Sequence, residues 1–263
     1  MQRIEPAGGA VYYQFEAWAN HSLLRHGVFT RLGGSSQPPF DALNVGGTVG
    51  DDIAHVRANL NQIYETLGVD GSRACTVWQV HSADSLVVSS RPQGRQWLAR
   101  ADGMVTNQRG VPLTMRFADC TPILLYDPKH QAIGIAHAGW RGTVNGAALS
   151  ALRAMQTAYS TQPADVQAAI GPSISVDHYQ VGEEVVQAAA QAFGSTEGII
   201  RRAEDGSAYF DLWEANRQAL ARAGVRHIEI SGICTATRTD EFYSHRAERG
   251  KTGRFAVVFM LGE

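Results

Sequence analysis

Two imidazoles and a thiol, His81, Cys120 and His137, are the side chains of this 263-residue chain best suited to hold a metal ion. Thiolate and imidazole are the usual donors to zinc, and three protein ligands leave a fourth position for water or substrate, as in catalytic zinc sites. Each of the three lies at the end of a predicted strand. His81 follows ThrValTrpGlnVal (76–80), Cys120 stands between two strand runs, and His137 follows AlaIleGlyIleAla (132–136). Neighbouring strands bring residues that are distant in sequence together at such ends. No Cys-x-x-Cys or His-Glu-x-x-His spacing accompanies them, so two other assignments stand beside the metal. Cys120 could be a nucleophile of lowered pKa with His137 as its base. It could also be a small buried hydrophobe, with both histidines as satisfied polar groups.

Anion-binding chemistry clusters around these residues. ThrArgLeuGlyGlySerSer (30–36) sets Arg31 beside glycines whose backbone N–H groups can converge on an anion. AsnValGlyGlyThr (44–48), opened by Asn44, repeats the pattern without a charge. HisAlaGlyTrpArgGly (137–142) places Trp140 and Arg141 just ahead of a predicted helix, whose N-terminus favours anions. Trp140 suits stacking on a flat ring as well as core packing. PheTyrSerHisArg (242–246) and ThrGlyArg (252–254) add Arg246 and Arg254. Ordinary surface turns use the same residue types. Asp119, beside Cys120, and Asp102, opening AspGlyMetVal, can orient a ligand histidine or act as general acid or base. Asp119 can equally cap or brace a turn.

Hydrophobic periodicity supplies the scaffold. Ile53, Val56, Leu60, Ile63 and Leu67 share one face of a predicted helix over 52–67, which Asp51 or Asp52 can start and Gly68 can end. Further helices are expected over 143–159, 183–193 and 212–223. Strands are expected at 76–80, 85–89, 112–117, 122–126, 132–136, 166–170, 227–230 and 255–261. Strands in consecutive groups, with helices outside them, suggest a single layered α+β domain over 1–263 and not a regular βαβ alternation. The continuous apolar runs 122–126 and 255–261 read as central strands covered on both faces.

Composition limits the function classes. Hydrophobic residues are 44% and charged residues 18%, ordinary for a globular chain. A formal net charge of -2 gives no reason to expect a nucleic acid or a membrane surface as partner. No apolar run approaches the roughly 20 residues of a membrane span. Three cysteines, Cys75, Cys120 and Cys234, argue against a disulfide framework and for a reducing cytoplasm. The first twenty residues show no secretory pattern, in keeping with that setting.

Taken in order, HisGlyValPheThrArg (26–31), LeuAsnValGly (43–46), GlnValHis (79–81), AlaAspGly (101–103), AlaAspCysThrProIleLeuLeu (118–125) and HisAlaGlyTrpArgGly (137–142) resemble one family. AlaIleGlyPro (169–172), TyrGlnValGlyGluGluVal (179–185), CysThr (234–235), PheTyrSerHisArg (242–246) and ThrGlyArg (252–254) extend the match over nearly the whole chain. It is the YfiH, or laccase-domain, family, described variously as polyphenol oxidase, purine nucleoside phosphorylase and peptidoglycan editing factor. GlnValHis, AlaAspCys and HisAlaGlyTrpArgGly together are highly specific.

The resemblance implies an α-β-β-α sandwich with mixed sheets, similar to certain bacterial toxin deamidases that use a Cys/His pair. It implies zinc at His81, Cys120 and His137, and phosphorolysis of purine nucleosides such as adenosine, inosine and methylthioadenosine, with adenosine deamination as a side activity. Cys120, His137 and Asp119 then become the candidate catalytic residues. Arg31, Asn44, Arg141 and Arg246 become the candidates to hold nucleoside and phosphate. Two other activities compete. Copper-dependent phenol oxidation could use the same three donors, although the nine histidines include no His-x-His of the kind several coppers would need. Hydrolysis of a wrongly incorporated amino acid from a cytoplasmic muropeptide precursor could use the Cys120/His137 pair or the metal. A metal-stabilised binding module without catalysis is the non-enzymatic alternative.

Overall fold

The computed structural model describes residues 1–263, the side chain of Gln96 excepted. Its strands are β1 (Gln2–Ile4), β2 (Tyr12–Gln14), β3 (Leu24–Phe29), β4 (Cys75–Trp78), β5 (Ser85–Val87), β6 (Gln96–Arg100), β7 (Gly103–Thr106) and β8 (Leu113–Phe117). They continue with β9 (Thr121–Asp127), β10 (Ala132–Ala138), β11 (Gln167–Ile170), β12 (Gln180–Val181), β13 (Ile200–Arg202), β14 (Ala208–Phe210), β15 (His227–Ile230) and β16 (Phe255–Leu261). The helices are α1 (Ile53–Leu67), α2 (Trp140–Val144), α3 (Ala147–Tyr159), α4 (Glu183–Phe193) and α5 (Leu212–Arg222).

One sheet runs β1-β2-β3-β16-β8-β4-β6, a second β15-β11-β9-β10-β7-β5, and a small third β12-β14-β13. Both large sheets are mixed: β4 pairs parallel with β6 and β8, while β16 pairs antiparallel with β3 and β8. In the second sheet β9 pairs antiparallel with β10 and β11, and β11 pairs parallel with β15.

The burial of β16 and β9 explains their unbroken apolar runs. Val257 and Phe259 pack with Leu124, Tyr126, Ile133 and Ile135 between the two large sheets. Ala256 and Val258 face the other way, onto Val56, Leu60, Ile63 and Leu67 of α1. Ile123 and Leu125 face Leu152 and Met155 of α3 and Leu220 of α5. Each central strand thus serves two apolar layers at once. Four of the five stripe residues of α1 are buried as expected. Ile53, at the first helical position, is instead 50% exposed beside Gly47. Asp52 caps the helix by accepting from Ala54 N–H at 2.8 Å, and Gly68 ends it at φ 66°.

Two expectations need correction. The helix over 143–159 is two helices, broken at Asn145 and Gly146, because Gly146 sits at φ 79° in the left-handed region. The strand over 76–80 stops at Trp78. Beyond it the Gln79 side chain pairs with both backbone groups of Arg116 (2.7 and 2.9 Å), and the next N–H groups turn to the Asp102 carboxylate instead of a neighbouring strand.

Candidate metal centre

The ligand atoms of His81, Cys120 and His137 lie within 4.8 Å of one another, the one such group of three or more His, Cys, Asp or Glu side chains among the described residues. Local backbone brings them there. Cys120 sits in the crossing from β8 in the first sheet to β9 in the second, turned by Asp119 at φ 79°. His137 is the penultimate residue of β10, and antiparallel pairing sets it opposite Pro122, two residues beyond Cys120. His81 follows β4 with φ 61°. The two imidazoles stand edge to face, 5.0 Å between centroids at 66°. A Cβ at position 139 would lie 2.7 Å from Cys120 Sγ and 3.4 Å from His81 Cδ2, so glycine there keeps the space among the donors open.

The three donors suit a metal ion. A small contraction brings atoms at these separations to one ion bonded at about 2.0–2.3 Å. Burial pushes the Cys120 thiol up, but the charge and hydrogen bond of His137, with a hydrogen bond to His81, outweigh it and bring the thiol down to about 6. Burial pushes His137 down, and the Cys120 charge and the Asp102 hydrogen bond raise it to about 9. The neighbouring imidazole thus favours the thiolate of Cys120, the form in which sulfur ligates a metal. The Nδ1 of His137 lies 2.8 Å from Asp102 Oδ1, which leaves Nε2 for the ion. Burial raises the Asp102 carboxyl, but the His137 hydrogen bond and charge and the N–H groups of Ser82 and Val80 more than offset this, holding it below the usual range. His137 is buried, Cys120 half-buried and His81 exposed, so the group opens to solvent on the His81 side.

The remaining candidates separate into two sets. Arg141 is exposed, with its guanidinium 4.4 Å from the Trp140 ring centroid and no acceptor among the described residues. Arg246 is exposed too. Its guanidinium lies 5.1 Å from the Tyr179 centroid and donates to Gln180 O at 2.9 Å. Tyr179 was not singled out in the sequence, yet the structure sets it at the centre of this region. Burial raises its phenol, which also feels the charges of Cys120, Arg246, Asp119 and Arg141. Arg254 is half-buried with no carboxylate within ion-pair distance among the described residues. Burial lowers its guanidinium, and the charges of Cys120 and Asp119 oppose the shift.

Arg31, Asn44 and Asp119 are placed as braces. Arg31 donates to Asp41 O (2.8 Å), Thr239 O (3.0 Å) and Glu248 Oε1 (2.9 Å) and lies over the Tyr243 ring. Asn44 is fully buried. Its amide donates to Asp51 Oδ2 at 2.8 Å and its oxygen accepts from the N–H groups of Gly46 and Arg254. Internal partners thus take the polar atoms of Arg31 and Asn44, which the resemblance offers as ligand contacts. Asp119 accepts from Thr235 Oγ1 (2.7 Å) and from Arg246 N–H (2.6 Å), so it ties the Cys120 turn to the C-terminal loops.

Residues 25–262 match the family model described as "Multi-copper polyphenol oxidoreductase laccase". The chain is 35% identical over 256 residues to a purine nucleoside phosphorylase of Bacteroides thetaiotaomicron, covering 94% of this chain and 95% of that one. It is 39% identical over 237 residues to purine nucleoside phosphorylase YlmD of Geobacillus stearothermophilus, covering 87% and 86%. Among solved structures it is similar to YlmD of Geobacillus stearothermophilus, with a TM-score of 0.92, 34% identity and 99% of each chain covered. It is also similar to YfiH of Bacillus licheniformis, with a TM-score of 0.89, 32% identity and 98% of each covered.

Proposed function

This chain belongs to the laccase-like YfiH family, and on that premise we propose that it is a metal-dependent purine nucleoside phosphorylase, with zinc at His81, Cys120 and His137. Adenosine, inosine and methylthioadenosine are the substrates, converted with phosphate to free base and ribose 1-phosphate or its methylthio analogue; adenosine deamination is a second activity of the site. The observation that carries the reading is the convergence of three donors on one point that stays open beside an exposed His81.

In phosphorolysis a phosphate oxygen bonds to C1′ of the ribose as the bond from C1′ to the purine nitrogen breaks. The bond's electron pair leaves with the purine, which takes up a proton. The protein must therefore hold a phosphate and a flat base side by side. Arg141 and Arg246, both without a carboxylate partner among the described residues, supply charge-assisted hydrogen bonds to phosphate. Asp119 acts through Arg246, whose backbone it holds. A bound zinc supplies a Lewis acid and a water of lowered pKa, the chemistry that deamination at C6 of adenine requires. Copper would use the same three donors, and more than one copper per chain would need donors that the described residues do not gather. The same reading takes α1, the two large sheets and α3 with α5 as one α-β-β-α sandwich in a single cytoplasmic domain.

The test is mass spectrometry of two incubations, one with adenosine and phosphate, the other with a nucleotide-linked muropeptide precursor carrying a wrong first amino acid. Ribose 1-phosphate in the first is expected. Loss of the amino acid in the second, with the first unchanged, would replace this function by peptidoglycan editing at the Cys120/His137 pair.

A further inference from the structure

We propose that Asp102 is the positioning residue of the metal group: one buried carboxylate sets the geometry of two of its three donors, His81 and His137. The inference rests on reading those residues as ligands. Asp102 is fully buried at the entrance to β7. The register of β7 on β10 pairs Gly103 with Ala136, which brings Asp102 beside His137. Oδ1 takes His137 Nδ1 at 2.8 Å and the His81 N–H at 3.1 Å. Oδ2 takes the N–H of Val80 (3.1 Å), the N–H of Ser82 (2.6 Å) and the hydroxyl of Ser82 (3.0 Å). The backbone repeats the link, since Asp102 O accepts from His137 N–H at 2.8 Å.

Two consequences follow. The carboxylate can only accept, so His137 must carry its proton on Nδ1 and present the Nε2 lone pair to the ion. Three successive N–H groups turned to one anion also brace His81 at φ 61°, a left-handed conformation uncommon for a non-glycine residue. Asparagine cannot replace this carboxylate. Its amide nitrogen would face either the N–H groups of Val80 and Ser82 or the His81 N–H with His137 Nδ1, so a donor would meet a donor. Relief by moving the His137 proton to Nε2 would withdraw the lone pair from the metal.

The experiment uses the zinc-loaded chain, with histidine-labelled NMR, zinc affinity against a competing chelator and steady-state kinetics. In the wild type, His137 should show a slowly exchanging Nδ1–H, and the cadmium-substituted protein should show metal coupling at Nε2. Asp102→Asn should lower zinc affinity by about 10- to 100-fold. At saturating zinc it should lower kcat while KM for the nucleoside stays within about twofold, as expected when an ion is misplaced and binding is not lost. Ligation of wild-type His137 through Nδ1 would overturn the inference whether or not the variant folds. So would an Asp102→Asn protein that binds zinc within about twofold of wild type. The zinc measurements decide this inference even if the wild type releases no ribose 1-phosphate, an outcome that would count against the proposed function alone.

Discussion

Two polar loop regions of this molecule are built from similar residue types and end in opposite states. Around residues 31–59, Ser36 Oγ and Asn44 Nδ2 both donate to Asp51 Oδ2 (2.6 and 2.8 Å), and Asn59 Nδ2 donates to Ser36 Oγ, Ala42 O and Asn44 O. Arg31 closes the same region onto Glu248. Donors there meet acceptors, and little is left for a ligand. At the junction of β4, β8 and β10, the imidazoles of His81 and His137 and the thiolate of Cys120 turn toward one another with an acid fixing one of them from behind. A buried polar cluster that satisfies itself is structure, and one that leaves convergent lone pairs is a site.

The sharpest way to break that contrast is to remove a donor from each region. Cys120→Ala should lower zinc affinity by more than about a hundredfold and abolish phosphorolysis, with zinc per chain after dialysis as the direct measurement. Asn44→Ala should do the reverse. It strips a fully buried amide from its partners and should cost about 3 kcal/mol, seen as a fall in Tm of roughly 6–12 °C with zinc content unchanged. Zinc loss in Asn44→Ala without a fall in Tm would erase the distinction.

Two buried imidazoles extend the comparison. His137 has Asp102 and Cys120 beside it. His26 has only the Phe15 N–H on its Nε2, at 2.9 Å, and the rings of Phe15, Trp18 and Phe259. Burial pushes His26 down to about 4, an effect only partly offset by that N–H. The folded protein thus holds it neutral while the unfolded chain takes up a proton below about 6.5. Stability from this residue is complete above about 6.5 and is lost as pH falls toward 4, by about 3 kcal/mol in all. Urea unfolding across that range should show the loss in the wild type and not in His26→Gln. Smaller effects should divide the arginines. Arg31→Lys should cost about 1–2 kcal/mol of stability with KM for phosphate unchanged, because lysine cannot reproduce the forked contacts over Tyr243. Arg141→Ala should raise KM for phosphate about tenfold with Tm unchanged.

The sequence made much of this legible where a pattern repeats. Val56, Leu60, Ile63 and Leu67 declare α1 because helical spacing and burial agree, and 227–230 and 255–261 coincide with β15 and β16. The three donors that converge were legible from their chemistry and from strand ends. The three-stranded sheet and β1–β3 are not legible, since strands of two to six residues are too short to carry a sustained alternation. Nor could the sequence separate Arg31 from Arg141, because the partner that occupies Arg31 lies 217 residues further along the chain. Asp102 could be suspected, but only the β7–β10 register sets it behind His137.

X-ray absorption at the zinc edge of the metal-loaded protein tests the central claim most directly. The shell expected is one sulfur at about 2.3 Å, two imidazole nitrogens at about 2.0 Å and one further light atom, with the sulfur gone in Cys120→Ser. A wild-type shell without sulfur, or a Cys120→Ser shell identical to the wild type, would contradict it.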